Sequence, residues 1–215
     1  MSEETTLQRI HKAGTEEFLR KGFQKASLRN IVKAAGVTTG AFYGYYRSKE
    51  ELFCALAAPA EYFMQEYKRV QNEFVLLSPQ EQQENLGVIS SGLLMDMLDL
   101  LYDNVAAFRL VLTCSEGTKY AGFMDEIVSI EVNATHRFYQ MLRSQGREVP
   151  DIDPDLEHII VSGMFASYFE PILHGLPQSK AKNYVRQLYR FQAAGWSELM
   201  GIPHIAGKDP FSGRI

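Results

Sequence analysis

The segment from residue 22 to residue 52, GFQKASLRNIVKAAGVTTGAFYGYYRSKEEL, constrains the fold more than any other part of the chain. Helix stops and starts follow one another there too closely for anything but short, crossed helices. Gly22 ends a first helix, read from about Thr5 to Lys21 with Leu7, Ile10, Gly14 and Phe18 on its inner stripe, as a left-handed cap. Ser27 then caps a short helix over Leu28 to Ala35, with Leu28, Ile31 and Val32 facing inward, and Gly36 stops it. Thr38 caps another, ending near Tyr46. Ser48 and Glu51 have the spacing of a capping box, in which hydroxyl and carboxylate each satisfy an orphan backbone donor. The pair Ala34 and Ala35 allows two helices to cross closely, Gly36 supplies the positive φ of the turn, and Val37 fills the angle between them. This is the grammar of a helix-turn-helix.

Beyond Leu52 apolar residues recur at three and four, β-branched alternation is rare, and Pro and Gly gather between long segments, so the whole chain reads as all-α with no strand. Helices are expected to about Phe74, with a bend at Pro59, then over Pro79 to Tyr102, Val105 to Ser115, Tyr120 to Ser144, Pro154 to His174 and Ser179 to Met200, about nine in all. The expected division is a helix-turn-helix domain at 1–50, a larger helical domain at 51–202 and a tail at 203–215. A chain of 215 residues that is 46% hydrophobic can bury a sizeable core. The cysteines, Cys54 and Cys114, stand far apart without metal-ligand spacing, which suits a reducing compartment. No run of about 18 apolar residues suggests a signal peptide or a membrane span, so a cytoplasmic protein is expected. His11, His136, His158, His174 and His204 form no metal-binding pattern, and no nucleophile elbow, phosphate loop or acid pair argues for an enzyme. Neither metal nor cofactor is expected.

Charge is divided unequally. The chain carries −4 in total, yet between Thr5 and Lys49 nine bases (Arg9, Lys12, Arg20, Lys21, Lys25, Arg29, Lys33, Arg47 and Lys49) meet only Glu16 and Glu17. That segment is therefore +7 and the remainder −11. A basic head on an acidic body meets a polyanion with one face only. The second short helix of the turn presents Thr38, Thr39, Gly40 and Ala41 on its first turn, small enough to enter a major groove and offer methyls, a hydroxyl and close backbone to base edges. Phe42 and Tyr46, four apart, should pack inward, Tyr43 should direct its hydroxyl to a phosphate, and Tyr45 should lie at the edge of the same surface. Lys49, at the start of the following helix, should add charge to an anion site. The opposing reading of these residues is a helical corner that binds nothing.

At these positions the sequence resembles the TetR family of bacterial transcription regulators. The resemblance rests on Ile10, Ala13 and Phe18, on Gly22-Phe23, and on SLRNIVKAAGV, TTGAFYGYY and SKEEL, and it covers about the first fifty residues. It implies a DNA-binding domain of three helices, a helical domain that often takes a small inducer, and a homodimer made by the last two long helices. Thr38, Thr39, Gly40 and Ala41 fall where such proteins approach bases, and Tyr43 and Lys49 where they hold phosphates. Two departures stand out: Ala26 replaces a frequent Thr and loses a backbone contact, and Gly44 replaces a frequent His and loses a phosphate contact. Ser27, Arg29, Gly44 and Tyr45 complete the expected DNA-binding set.

In the larger domain Phe63, Tyr67, Met95 and Tyr102 are expected to line a pocket that Arg109, Phe123, Ile127, Glu131 and Phe165 close, although helical spacing of apolar residues is equally what any core shows. Arg109 and Glu131, flanked by apolar neighbours, need a partner if buried, and could be each other's. Its expected occupant is a small apolar or amphipathic effector. In the last two helices Val185, Leu188, Tyr189, Gln192, Trp196 and Leu199 form one stripe that Phe191 and Ala194 widen, while HIIVSGMFASYF is apolar nearly all round. Such a surface calls for its own core and for a second chain. The function expected is a homodimeric regulator that binds a double-stranded DNA operator, with repression relieved by the effector. The competing expectation is a helical ligand-binding protein or enzyme with a vestigial helix-turn-helix.

Overall fold

The computed structural model describes residues 4–202. Nine α-helices and no strand occur among them: α1 (Thr6–Lys25), α2 (Leu28–Ala34), α3 (Thr39–Tyr43), α4 (Lys49–Leu76), α5 (Pro79–Asp103), α6 (Val105–Cys114), α7 (Phe123–Ser144), α8 (Pro154–Leu173) and α9 (Gln178–Met200). The expected tail at 203–215 lies outside the described residues. No helix among the described residues is long and apolar enough to cross a membrane.

The chain forms two compact units, one comprising the residues up to Tyr62 with Asn104–Phe123, the other Phe63–Asp103 with the residues from Met124 onward. The first is larger than the head expected at 1–50, because α6 packs on α1 and the turn after it returns to α4. There Lys119 Nζ lies 2.8 Å from Glu61 Oε2, and the Tyr120 hydroxyl donates to the same oxygen at 3.2 Å.

In the first unit α1 opens with a complete capping box. Gln8 N–H donates to Thr5 Oγ1, and Thr5 N–H to Gln8 Oε1. Gly22, at φ 73°, interrupts α1 as expected but does not end it; one more turn follows to Lys25. Ile10, Phe18, Ile31, Phe42, Leu52 and Phe53 are fully buried. The ring of Phe53 meets Phe18 and Phe23 edge-on at 5.2 and 5.3 Å, the geometry that aromatic quadrupoles favour. Gly14 sets how closely α4 crosses α1: a Cβ there would stand 2.8 Å from Leu52 Cδ2.

Two expected caps differ in detail. Ser27 is extended at the start of α2, but its hydroxyl makes no capping bond. Glu17 of α1 takes that role, its Oε1 accepting from Ser27 N–H at 3.1 Å and from Asn30 Nδ2 at 3.1 Å. At α4, Ser48 Oγ accepts from Glu51 N–H at 3.0 Å as a capping box requires. The Glu51 carboxylate, however, reaches one residue further back, to Arg47 N–H at 2.5 Å.

The second unit is built from the distal half of α4 with α5, α7, α8 and α9. Three tyrosine hydroxyls tie it together: Tyr168 donates to Leu94 O at 2.7 Å, Tyr189 to Gly87 O at 2.9 Å, and Tyr102 to Leu176 O at 2.7 Å. Each lets a large ring be buried without stranding its polar tip.

Candidate functional site

Helix α3 divides its side chains sharply. Thr38 Oγ1 accepts from Ala41 N–H at 3.0 Å and so fixes the first turn. Phe42 is fully buried and anchors the helix, while Tyr46 turns inward and its hydroxyl pairs with His11 Nε2 on α1. On the opposite side Thr38, Thr39, Gly40 and Gly44 are exposed, Ala41 is half-buried, and Tyr43 and Tyr45 are 53% and 48% exposed. The Tyr43 ring meets Phe42 edge-on at 5.7 Å, yet about half of its surface, and of that of Tyr45, stays open to solvent. A Cβ at Gly40 would find only Thr38 Oγ1, at 3.9 Å, so the space above that backbone is clear. Gly36, at φ 63°, makes the turn between α2 and α3. Gly44 sits in ordinary right-handed helical backbone at φ −70° and ψ −21°, a conformation that does not require glycine.

The basic charge is sorted as sharply. Arg9 Nη1 donates to the carbonyls of Ala35 and Gly36 at the end of α2, at 3.3 and 3.4 Å. Lys49 Nζ donates to three carbonyls at the end of α1, those of Phe23, Gln24 and Ala26, at 2.7, 3.3 and 3.0 Å. Both cations sit where a helix exposes unsatisfied oxygens, the favourable end of its dipole for positive charge. Arg20 and Lys21 pair with Glu17. Lys12, Lys25, Arg29, Lys33 and Arg47 remain exposed, and among the described residues none forms an ion pair. These five, rather than all nine bases, are the head's free positive charge. Ser27 is half-buried and lies beside Glu17.

Glu17 is the residue that sequence reasoning missed. Burial works to raise its pKa, but the Ser27 N–H, the Asn30 amide, Arg20 and Lys21 overcome it and hold the carboxyl down at about 2. A signal was present: Glu17 falls on the same helical stripe as Ile10, Ala13, Gly14 and Phe18, and an acid on a buried stripe must find partners.

The second unit encloses a cavity of about 150 Å³. Tyr67, Glu131 and Phe165, all expected there, line it with Leu86, Leu93, Phe138 and Trp196. The other expected residues lie elsewhere. Phe63 is buried and stacks on Tyr67, Ile127 and Met95 are core, and the Tyr102 hydroxyl is bound to Leu176 O. Arg109 is exposed on α6 and Phe123 is buried, both within the first unit. Arg109 is therefore not the partner of Glu131. Tyr67 Oη donates to Glu131 Oε2 at 2.5 Å and Gln71 Nε2 donates to the same oxygen at 2.7 Å. Burial, with the negative charge of Glu157, pushes the Glu131 carboxyl upward against the lowering effect of the Tyr67 hydrogen bond.

Among the described residues one face of α8 and α9 stays uncovered. Ile159 is 65% exposed and Phe191 75%, and with Gly163, Trp196 and Leu199 they border a shallow groove.

A buried-anchor, exposed-tip short helix set after a glycine turn and a capped helix, on a three-helix basic head, defines a helix-turn-helix protein of the nucleic-acid-binding class. Residues 10–56 match the model of the family described as bacterial regulatory proteins, tetR family. Two curated relatives from Bacillus subtilis (strain 168) are similar over the same region. The uncharacterized HTH-type transcriptional regulator YdgC is 46% identical over 48 residues, 22% of this chain and 25% of that protein. The uncharacterized HTH-type transcriptional regulator YvdT is 44% identical over 50 residues, 23% and 26% respectively. The matched stretch thus spans about a quarter of these relatives. Similarity of fold extends further. A gamma-butyrolactone receptor (ArpA-like protein) superposes with a TM-score of 0.56 at 18% identity, covering 96% of this chain and 93% of that one. A TetR transcriptional regulator family member from Streptomyces coelicolor A3 gives 0.54 at 16%, covering 89% and 92%.

Proposed function

We propose that the chain is a homodimeric transcriptional repressor that seats α3 in the major groove of a near-palindromic DNA operator and is released by a small apolar or amphipathic effector. The division of α3 carries this reading. Phe42 anchors the helix while Thr38, Thr39, Gly40, Tyr43 and Tyr45 stand open beside free bases. The small first-turn residues reach base edges, Tyr43 and Arg29 contact phosphates, and the five unpaired bases supply the salt-dependent attraction. The exposed α8 and α9 face, centred on Phe191 and Ile159, seats a second copy, which sets two recognition helices about 34 to 36 Å apart, one turn of duplex. The cavity of the second unit receives the effector. Helix α4 supplies Lys49 to the head and Tyr67, Gln71 and Phe74 to the cavity wall, so one element carries residues of both sites. Release requires only that the effector favour the non-binding state by a few kcal/mol. In this role the protein is a binding protein of the cytoplasm and not an enzyme.

The test is a gel shift with the purified chain and the DNA upstream of its own gene. Binding at nanomolar to micromolar concentration that weakens steeply between about 50 and 200 mM salt supports the reading. A chain that retards no such DNA, or retards all DNA equally with no effect of Tyr43→Ala, overturns it.

A further inference from the structure

Taking the cavity of the second unit as the effector site proposed above, we infer that its ligand is an organic cation: a protonated amine or amidinium on a compact apolar body, with Glu131 as its counter-charge. The lining contains one acid, Glu131, and no Lys, Arg or His. Most of its hydroxyl donors are already engaged. Tyr168 and Tyr189 bond to carbonyls of α5, and Ser90 Oγ donates to Leu86 O at 2.6 Å. Tyr67 and Gln71, the donors nearest Glu131, both point at its Oε2, at 2.5 and 2.7 Å. That arrangement fixes the carboxylate plane and leaves Oε1 without a hydrogen bond among the described residues.

The wall is therefore mainly apolar with one anchored carboxyl group, and the charge balance decides what can occupy it. A buried carboxylate lacking a counter-ion is unfavourable, and the nearby Glu157, itself 1% exposed and with its Oε2 2.6 Å from His136 Nε2, adds to that cost. A cationic head placed at Oε1 relieves both. An anionic head would bring further negative charge and find no cation in the wall. A neutral alcohol could donate to Oε1 but would leave the charge uncompensated. A cavity of about 150 Å³ accommodates a body the size of one benzene ring.

The experiment uses the intact chain and three probes of one shape, benzylamine, benzyl alcohol and benzoate, followed by calorimetry and thermal shift at neutral pH. The amine should bind at least ~10-fold more tightly than the alcohol, as expected for a charge-assisted hydrogen bond, and benzoate should not bind. Glu131→Gln should weaken the amine by ~10-fold or more while leaving the alcohol within ~3-fold. Ala134→Phe, which fills the lining one turn from Glu131, should abolish amine binding and so exclude attraction to the acidic surface. Preference for alcohol or benzoate, or amine binding that survives Glu131→Gln, overturns the cationic class while the effector site stands; amine binding that survives Ala134→Phe lies outside the cavity and overturns both. A chain that binds none of the three overturns both. If Glu131→Gln does not fold, the ranking of the probes on the unaltered chain decides.

Discussion

Lys49 places its ammonium 2.7 Å from the carbonyl oxygen of Phe23 and 4.4 Å from the centroid of the same residue's ring. The first residue of α4 thus closes the last turn of α1, joining elements 26 positions apart. Removing it strands three carbonyls and a cation–π contact. Lys49→Ala should destabilise the first unit by about 1–2 kcal/mol, read in urea or thermal unfolding. Were Lys49 chiefly a phosphate ligand, the same change would leave stability untouched and reduce the salt slope of DNA binding by about one.

Gly40 separates a structural glycine from a functional one. Its backbone is helical and a Cβ would touch nothing closer than Thr38 Oγ1 at 3.9 Å, so Gly40→Ala should stabilise α3 by about 0.5–1 kcal/mol through helix propensity. The added methyl projects from the exposed first turn, and DNA affinity should fall although the protein is more stable. Unchanged affinity in a gel shift would show that this backbone never approaches a base. Tyr43→Phe is the companion: stability should stay within about 0.5 kcal/mol, and affinity should drop uniformly across operator sequences, as loss of a phosphate contact requires.

Glu17 makes the head sensitive to acid. Its carboxyl is held at about 2 in the folded chain against an ordinary value of 4.5. A depressed carboxylate contributes stability that is complete above the unfolded value and is lost as pH falls through the folded one, so the window runs from about 4.5 down to about 2. Glu17→Ala also strips the acceptor from Ser27 N–H and Asn30. It should cost about 2 kcal/mol at pH 7, with the gap to the unaltered protein closing as pH approaches 2. A gap constant from pH 7 to pH 2 would locate the stabilisation elsewhere.

Local chemistry was readable from the sequence wherever one residue decides its own backbone. Gly36 had to turn, Thr38 had to cap, and Phe42 had to face inward from Tyr43, because helical spacing and φ preference act over four residues or fewer. Partners set by tertiary packing were not readable. Lys49 looked like a free charge because nothing near it in sequence reveals the end of α1, and Ser27 looked like a cap because Glu17 lies ten positions earlier. The cavity failed for a related reason. Phe63, Ile127 and Phe165 are equally apolar, and only the rotation of each helix decides that Phe165 lines a void while Ile127 is solid core. Arg109, read as a charge trapped among apolar neighbours, simply occupies the outer side of α6.

The exposed face of α8 and α9 bears on how the chain assembles. Phe191 is 75% exposed and Ile159 65%, and they border one groove with Trp196 and Leu199. Two large apolar side chains so open on adjoining helices favour association, and Gly163 on the same groove permits close approach of a second backbone. Phe191→Glu would place a carboxylate at the centre of that contact, where pairing two copies brings like charges together. Since Phe191 touches little within its own chain, monomer stability should change by less than about 0.5 kcal/mol. Sedimentation velocity should then show the unaltered protein as a dimer at micromolar concentration and the variant as a monomer. DNA affinity should fall in parallel, because one recognition helix alone holds only half an operator. A variant that remains dimeric would move the interface to another face, and a monomeric variant that keeps full affinity would mean that the head binds DNA as a single copy.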